Sequence, residues 1–168
     1  MSLDELRSPD VQQLIDSLIE TRRTAGGAGL AAPQVGVPKR IAVVAVDQAT
    51  RYPYKPLVPL TVQVNPVIEP LSDETLLINE GCLSVPDLRG DVPRHLRVRV
   101  RYFDRNGAAC SVEAEGLTAG TFQHEVDHLD GVLFLDRVTD TRSLSTWEQF
   151  ARHGEREFLA RVAPYTRR

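Results

Sequence analysis

Apolar residues recur at helical spacing over residues 10–23. Val11, Leu14, Ile15, Leu18 and Ile19 form one stripe, and Ser8, Pro9 and Asp10 are start signals, so the pattern predicts an amphipathic helix packed on a core. After a glycine-rich stretch the period changes. Residues 40–46 are a short apolar run rich in β-branched side chains, which predicts a buried strand, and residues 60–68 predict another, interrupted by Pro66. Between them, residues 52–59 carry three prolines and predict a surface loop. From His95 to Asp104, Leu96, Val98, Val100 and Tyr102 alternate with Arg97, Arg99 and Arg101; Cys110, Val112 and Ala114 then alternate with Ser111, Glu113 and Glu115.

These last two segments predict a hairpin whose register the side chains decide. Residues directly opposite share a face, so Val100 must meet Val112, which leaves a three-residue loop, Arg105-Asn106-Gly107, with Gly107 in the left-handed position. The same register sets Arg99 against Glu113 and Arg97 against Glu115. The arginines are therefore structural, which argues against nucleic-acid binding there. Cys110 falls on the apolar phase and is expected to be a small buried hydrophobe. A central helix is predicted over residues 117–129, capped by Gly131, and a second amphipathic helix over residues 141–162, weakened by Gly154. The hairpin and strands together with these helices make the expected class α+β, with antiparallel sheets, a central α-helix and a C-terminal helix.

Composition narrows this picture only modestly. A chain of 168 residues fits one domain, taken here as 1–168, and 42% hydrophobic with 26% charged residues is ordinary for a globular chain. No apolar run is long enough to cross a bilayer, and the first residues show neither a secretion signal nor a transit peptide, so a cytoplasmic location is expected, with no membrane partner. A net charge of −3 gives no general attraction to nucleic acid, and two cysteines do not make a disulfide framework. Residues 141–168 hold six arginines and three glutamates, a local positive excess that suggests weak docking of the C-terminal helix on the ribosome; a solvated arginine-rich face is the plainer reading.

The chemistry concentrates in Gln123-His124-Glu125-Val126-Asp127-His128. On a helix, His124 and His128 share one face and can hold a single metal ion, while Glu125, turned about 100° around the axis, is placed to act on a water rather than as a ligand. Two surface histidines on a polar helix is the bland alternative. A site with an open position needs a third ligand, and two residues offer one. Glu148 follows His128 by twenty residues, as in zinc endopeptidases with a downstream glutamate; Cys82 lies in a turn-like segment, Glu80-Gly81-Cys82-Leu83-Ser84-Val85-Pro86.

Three separated segments then speak together. Gly27 to Gln34 matches Gly-x-Gly-Leu-Ala-Ala-x-Gln, Glu80 to Ser84 matches Glu-Gly-Cys-Leu-Ser, and Gln123 to His128 matches Gln-His-Glu-x-Asp-His. With these the chain resembles the peptide deformylase family, over roughly residues 14–137. The resemblance implies Cys82, His124 and His128 as metal ligands, with water in the fourth position. It also implies one divalent metal, generally iron(II), with zinc, nickel or cobalt able to replace it; thiolate and imidazole ligands suit such ions. It implies Glu125 as general base and then acid, Gln34 and the backbone N–H of Leu83 as oxyanion donors, and backbone pairing of the peptide by Ala28 and Gly29. The substrate class is the N-formyl-methionyl nascent peptide, and the pocket for its first side chain falls on Ile78, Arg89, Leu117, Gly120 and the helix around His124.

Three departures stand out. Gly120 replaces a bulkier apolar residue and is expected to leave room in the pocket; Gly26 stands where an acidic residue is frequent; only about nine residues precede the first helix. A zinc endopeptidase using Glu148, and a binding protein without activity, are the rival readings. An intact Glu125 argues against the binder, which has no use for a general base.

Overall fold

The computed structural model describes residues 1–47 and 52–166. A short helix α1 (Leu3–Leu6) precedes α2 (Pro9–Ala25), whose first turn is capped by the Ser8 hydroxyl accepting from the Val11 N–H, and which ends at Gly26 in a left-handed conformation. Next come β1 (Gly29–Ala31), a 3₁₀ turn at Ala32–Val35, and β2 (Ile41–Val46). Strand β3 (Val58–Pro70) is longer than predicted because it passes Pro66 by a bulge. The register shifts between Val64 and Val67, with Asn65 at φ 49° taking the strained position. Strands β4 (Thr75–Cys82), β5 (Val85–His95), β6 (Arg97–Phe103) and β7 (Ala109–Glu115) follow, then α3 (Gly116–Leu129), α4 (Phe134–Arg137) and β8 (Ser145–Thr146).

The C-terminal helix is corrected in extent. Residues 141–146 form a 3₁₀ turn and the two residues of β8, and the helical run starts only at Trp147. It comprises α5 (Trp147–Gln149), a π turn at Phe150–Gly154 and α6 (Glu155–Val162). The wide turn ends at Gly154, the residue whose low helix propensity marked a weak point.

Two antiparallel sheets result, one in the order β1-β2-β3-β6-β7 and one in the order β4-β5-β8. The β6–β7 register is the expected one: Val100 faces Val112, Arg99 faces Glu113 and Arg97 faces Glu115, across a loop in which Gly107 has φ 85°. Cys110 points inward but is only half-buried, since β7 is an edge strand. Helix α3 lies between the sheets, with Ala119 and Phe122 packed on Val44, Val98 and Val100 and with Leu117 packed on Ile78, Phe150, Phe158 and Val162. On the far side of the larger sheet, α2 buries Val11, Ile15 and Leu18 against Ile41, Val43 and Val64. An α+β arrangement with a central helix and a C-terminal helix is thus what forms.

The β4–β5 hairpin was not predicted. It matters most for the site, because it converts the turn-like segment around Cys82 into the end of a strand with its turn confined to Leu83 and Ser84.

Candidate active site

Helix α3 is buried almost all round, so its polar side chains must find partners inside the protein. Gln123 does so against the backbone of His95, accepting its N–H at 3.0 Å and donating to its carbonyl at 2.9 Å. Asp127 accepts from Arg94 at 2.6 Å and from Arg137 at 2.6 Å through each of its oxygens. Arg94 in turn holds both oxygens of Glu80, at 2.7 and 2.9 Å, and Glu80 Oε2 lies 2.8 Å from His124 Nδ1. The carboxylate therefore fixes the ring of His124 with its other nitrogen turned away from Glu80. Burial would raise the Glu80 carboxyl, but the charge and hydrogen bonds of Arg94 outweigh it and hold it well below the usual range.

Strand β4 delivers Cys82 to this helix. Its Sγ is 3.2 Å from His128 Nε2, the two imidazoles stand edge-to-face with centroids 4.9 Å apart, and one ligand atom each from Cys82, His124 and His128 lies within 4.8 Å of the others. Burial would raise the Cys82 thiol, yet hydrogen bonds and charge from His124 and His128 pull it down to about 5. A thiolate and two imidazoles, one of them oriented by a carboxylate, form a donor set fitted to a borderline-soft divalent ion. Glu148 takes no part: it is exposed and pairs with Arg152 at 2.6 Å.

Glu125 sits beside this cluster and is 4% exposed, with Oε2 buried and without a hydrogen-bond partner among the described residues. Burial holds its carboxyl above the usual range, against the opposing charges of His124 and His128. The glycine-rich segment makes this placement possible. A Cβ on Gly29 would stand 2.3 Å from the Glu125 carboxyl, so the close approach of β1 to α3 tolerates no side chain there. In the turn after β1, Gln34 accepts from the Ala31 N–H at 2.8 Å, which directs its amide nitrogen to Ser84 Oγ at 3.1 Å and Cys82 Sγ at 3.7 Å.

Of the twelve site residues that the resemblance implied, eleven line one pocket, and the twelfth, His128, meets it through Cys82, whose Sγ is 3.2 Å from His128 Nε2. One expectation about that pocket is corrected. Gly120 leaves no room, because Ile78 Cδ1 fills the space, 2.4 Å from where a Cβ would stand. Sequence reasoning also missed Lys55, Tyr52, Tyr54 and Thr121, which line the same pocket. The proline-rich loop is therefore not a plain surface loop, and nothing periodic in it signals this. Glu80 was recoverable, since it opens the second motif.

Comparison with known proteins identifies the family. The family model described as polypeptide deformylase matches residues 1–143. The chain belongs to the polypeptide deformylase family. Peptide deformylase 2 of Ralstonia nicotianae is 47% identical over 138 residues, covering 82% of this chain and 78% of the relative. Peptide deformylase 1 of Bordetella pertussis is 48% identical, covering 79% and 76%. Among solved structures, the class I type b peptide deformylase of Acinetobacter baumannii bound to Met-Ala-Ser superposes with TM-score 0.77 at 43% identity, covering 82% of this chain and 87% of that one. The deformylase of Synechococcus elongatus in complex with actinonin gives TM-score 0.70 at 36% identity, covering 92% and 73%. Deformylases are metal-dependent enzymes that remove the N-formyl group from nascent peptides. Among the described residues no helix is long and apolar enough to cross a membrane.

Proposed function

We propose that Cys82, His124 and His128 hold one divalent metal ion and that Glu125 moves the proton in hydrolysis of N-formyl-methionyl peptides. The observation that carries this is the buried Glu125 carboxyl, whose Oε2 has no hydrogen-bond partner among the described residues, next to a cysteine and two histidines whose ligand atoms lie within 4.8 Å of one another. A metal bound there supplies Lewis acidity toward water and the formyl oxygen. Glu125 Oε2 accepts the proton of the attacking water as the new C–O bond forms and returns it to the amine nitrogen as the C–N bond breaks, giving formate and a free N-terminus. The Gln34 amide and the Leu83 N–H donate to the oxygen that gains charge. The peptide lies along β1, an edge strand, and pairs with the backbone at Ala28 and Gly29; its first side chain enters toward Ile78, Arg89, Leu117 and Gly120.

We take iron(II) as the ion carried in the cell, with zinc, nickel or cobalt in its place in purified samples, and we take residues 1–168 as one catalytic domain working in the cytoplasm. Docking on the ribosome through the C-terminal helix would rest on the exposed Arg156, because Arg152 pairs with Glu148 at 2.6 Å and Arg161 with Asp91 at 2.9 Å. Arg167 and Arg168 lie outside the described residues. Salt-sensitive co-sedimentation with ribosomes supports docking, and its absence removes it. The main test is formate release from formyl-Met-Ala-Ser by iron-loaded protein prepared without oxygen. Glu125→Gln should keep its metal and lose turnover; full activity in that variant would overturn the role given to Glu125.

A further inference from the structure

Lys55 and Thr121 belong to the pocket but to none of the motifs. Lys55 reaches in from the proline-rich loop and donates to Thr121 Oγ1 at 2.8 Å. Thr121 gives its single hydroxyl hydrogen to the Leu117 carbonyl, 2.9 Å away, so it can only accept from the lysine. Among the described residues the ammonium spends one of its three donors on this hydrogen bond, and Nζ also lies 4.8 Å from the centroid of the Tyr52 ring. Arg89 lines the same pocket. Asn79 fixes its Nε and Nη2 at 2.7 and 2.8 Å, Trp147 and Phe150 lie against its plane, and its buried Nη1 has no hydrogen-bond partner among the described residues. Ile78, meanwhile, has taken the space at Gly120, so the pocket is bounded on that side by carbon and carries spare donors elsewhere.

Resting on the deformylase reading above, we infer that Lys55 is the specificity-determining residue of this pocket. It selects an unbranched-carbon first side chain that carries a hydrogen-bond acceptor next to its terminal methyl, methionine sulfoxide, over a hydrocarbon of the same chain length. A thioether accepts weakly, whereas a sulfoxide on a chain of the same length is a strong and chiral acceptor. Norleucine has the same length and no acceptor. A neutral acceptor suits the site better than a carboxylate, because the charges of Glu80 and Glu125 already act on Lys55. Pairing a spare donor rewards the correct side chain, and presenting a hydrocarbon leaves that donor desolvated and unpaired.

The test uses metal-loaded protein and four formyl tripeptides, X-Ala-Ser, with X as methionine, either epimer of methionine sulfoxide, or norleucine. Formate release gives kcat/KM, and calorimetry on the deformylated tripeptides gives Kd. For one sulfoxide epimer the wild-type preference over norleucine is expected to be about tenfold, the size of one hydrogen bond to a charged group. Lys55→Met should erase that preference in both measurements. Thr121→Val, which removes the anchor of the ammonium, should reduce it, and melting curves show whether each variant is folded. Equal handling of sulfoxide and norleucine by the wild type, or the same ratio in Lys55→Met, overturns the inference. If none of the formyl peptides is hydrolysed, the deformylase roles fail instead, and the order of product Kd values then judges Lys55 by itself.

Discussion

Two parts of one pocket are held in different ways. On the ligand side, Cys82, His124, His128 and Glu125 sit on β4 and α3 and are braced by a buried chain of ions, Arg137–Asp127–Arg94–Glu80–His124. On the side-chain side, Tyr52, Tyr54 and Lys55 come from a loop and meet one another and Trp147 and Phe158 by ring contacts, with one lysine hydrogen bond to the helix. The first arrangement fixes each atom by several partners, as a site that must place reacting groups requires. The second fixes a surface of a given chemistry and leaves individual contacts replaceable. Chemistry is thus expected to be brittle here and selectivity tunable.

The largest effect that follows from this contrast is at Cys82. Cys82→Ala should lose its bound metal and at least about a thousandfold in turnover, read by elemental analysis and formate release, because two imidazoles alone complete no three-ligand site. Retained metal in that variant would overturn the ligand role given to Cys82. Next is the ionic brace. Arg94→Ala leaves Glu80 with only His124 and Asp127 with only Arg137, and breaking a buried pair of this kind costs about 3–5 kcal/mol in urea unfolding. A loss under about 1 kcal/mol would show that the ligand side is not braced as drawn. Smaller again is Gly29→Ala. The added carbon displaces the Glu125 carboxyl, and a shift of about 1 Å should lower kcat roughly a hundredfold while the metal content stays near wild type.

The same contrast explains what was legible in the sequence. The β6–β7 register could be read because apolar and polar positions alternate cleanly there and Arg–Glu pairs confirm the match, and helix α3 because two histidines four residues apart fit one helical face. The β4–β5 hairpin could not. Its buried positions include Asn79, Glu80, Arg89 and Arg94, which satisfy one another across the strands and so erase the hydrophobic alternation that marks a strand. Ligands and base were legible as motifs because chemistry demands those residue types. Lys55 was not, since a single long side chain reaching out of a proline loop leaves no period or motif, and whether it faces water or the pocket depends on the fold alone. The space beside Gly120 was misjudged for a related reason: a missing side chain is a vacancy only if no neighbour fills it, and Ile78 does.

The smallest expected effect probes the tunable side directly. Burial, aided by the charges of Arg89 and Arg94 and opposed by those of Glu80 and Glu125, lowers the Lys55 ammonium from its ordinary value to about 8. Tyr54, pushed up to about 12 by burial, stays protonated over the same range, and both arginines stay charged. A charged donor makes a hydrogen bond roughly twice as strong as a neutral one, so the sulfoxide preference should fall severalfold between pH 7 and 9.5 with a midpoint near 8. The sign for stability is opposite. With the folded pKa below the unfolded value of about 10.4, the unfolded chain binds more protons between the two, and stability rises with pH across that window. Lys55→Met should flatten both curves relative to wild type, the subtraction removing every other titration. A wild-type preference that is level from pH 7 to 9.5 would mean that the ammonium does not face the substrate side chain.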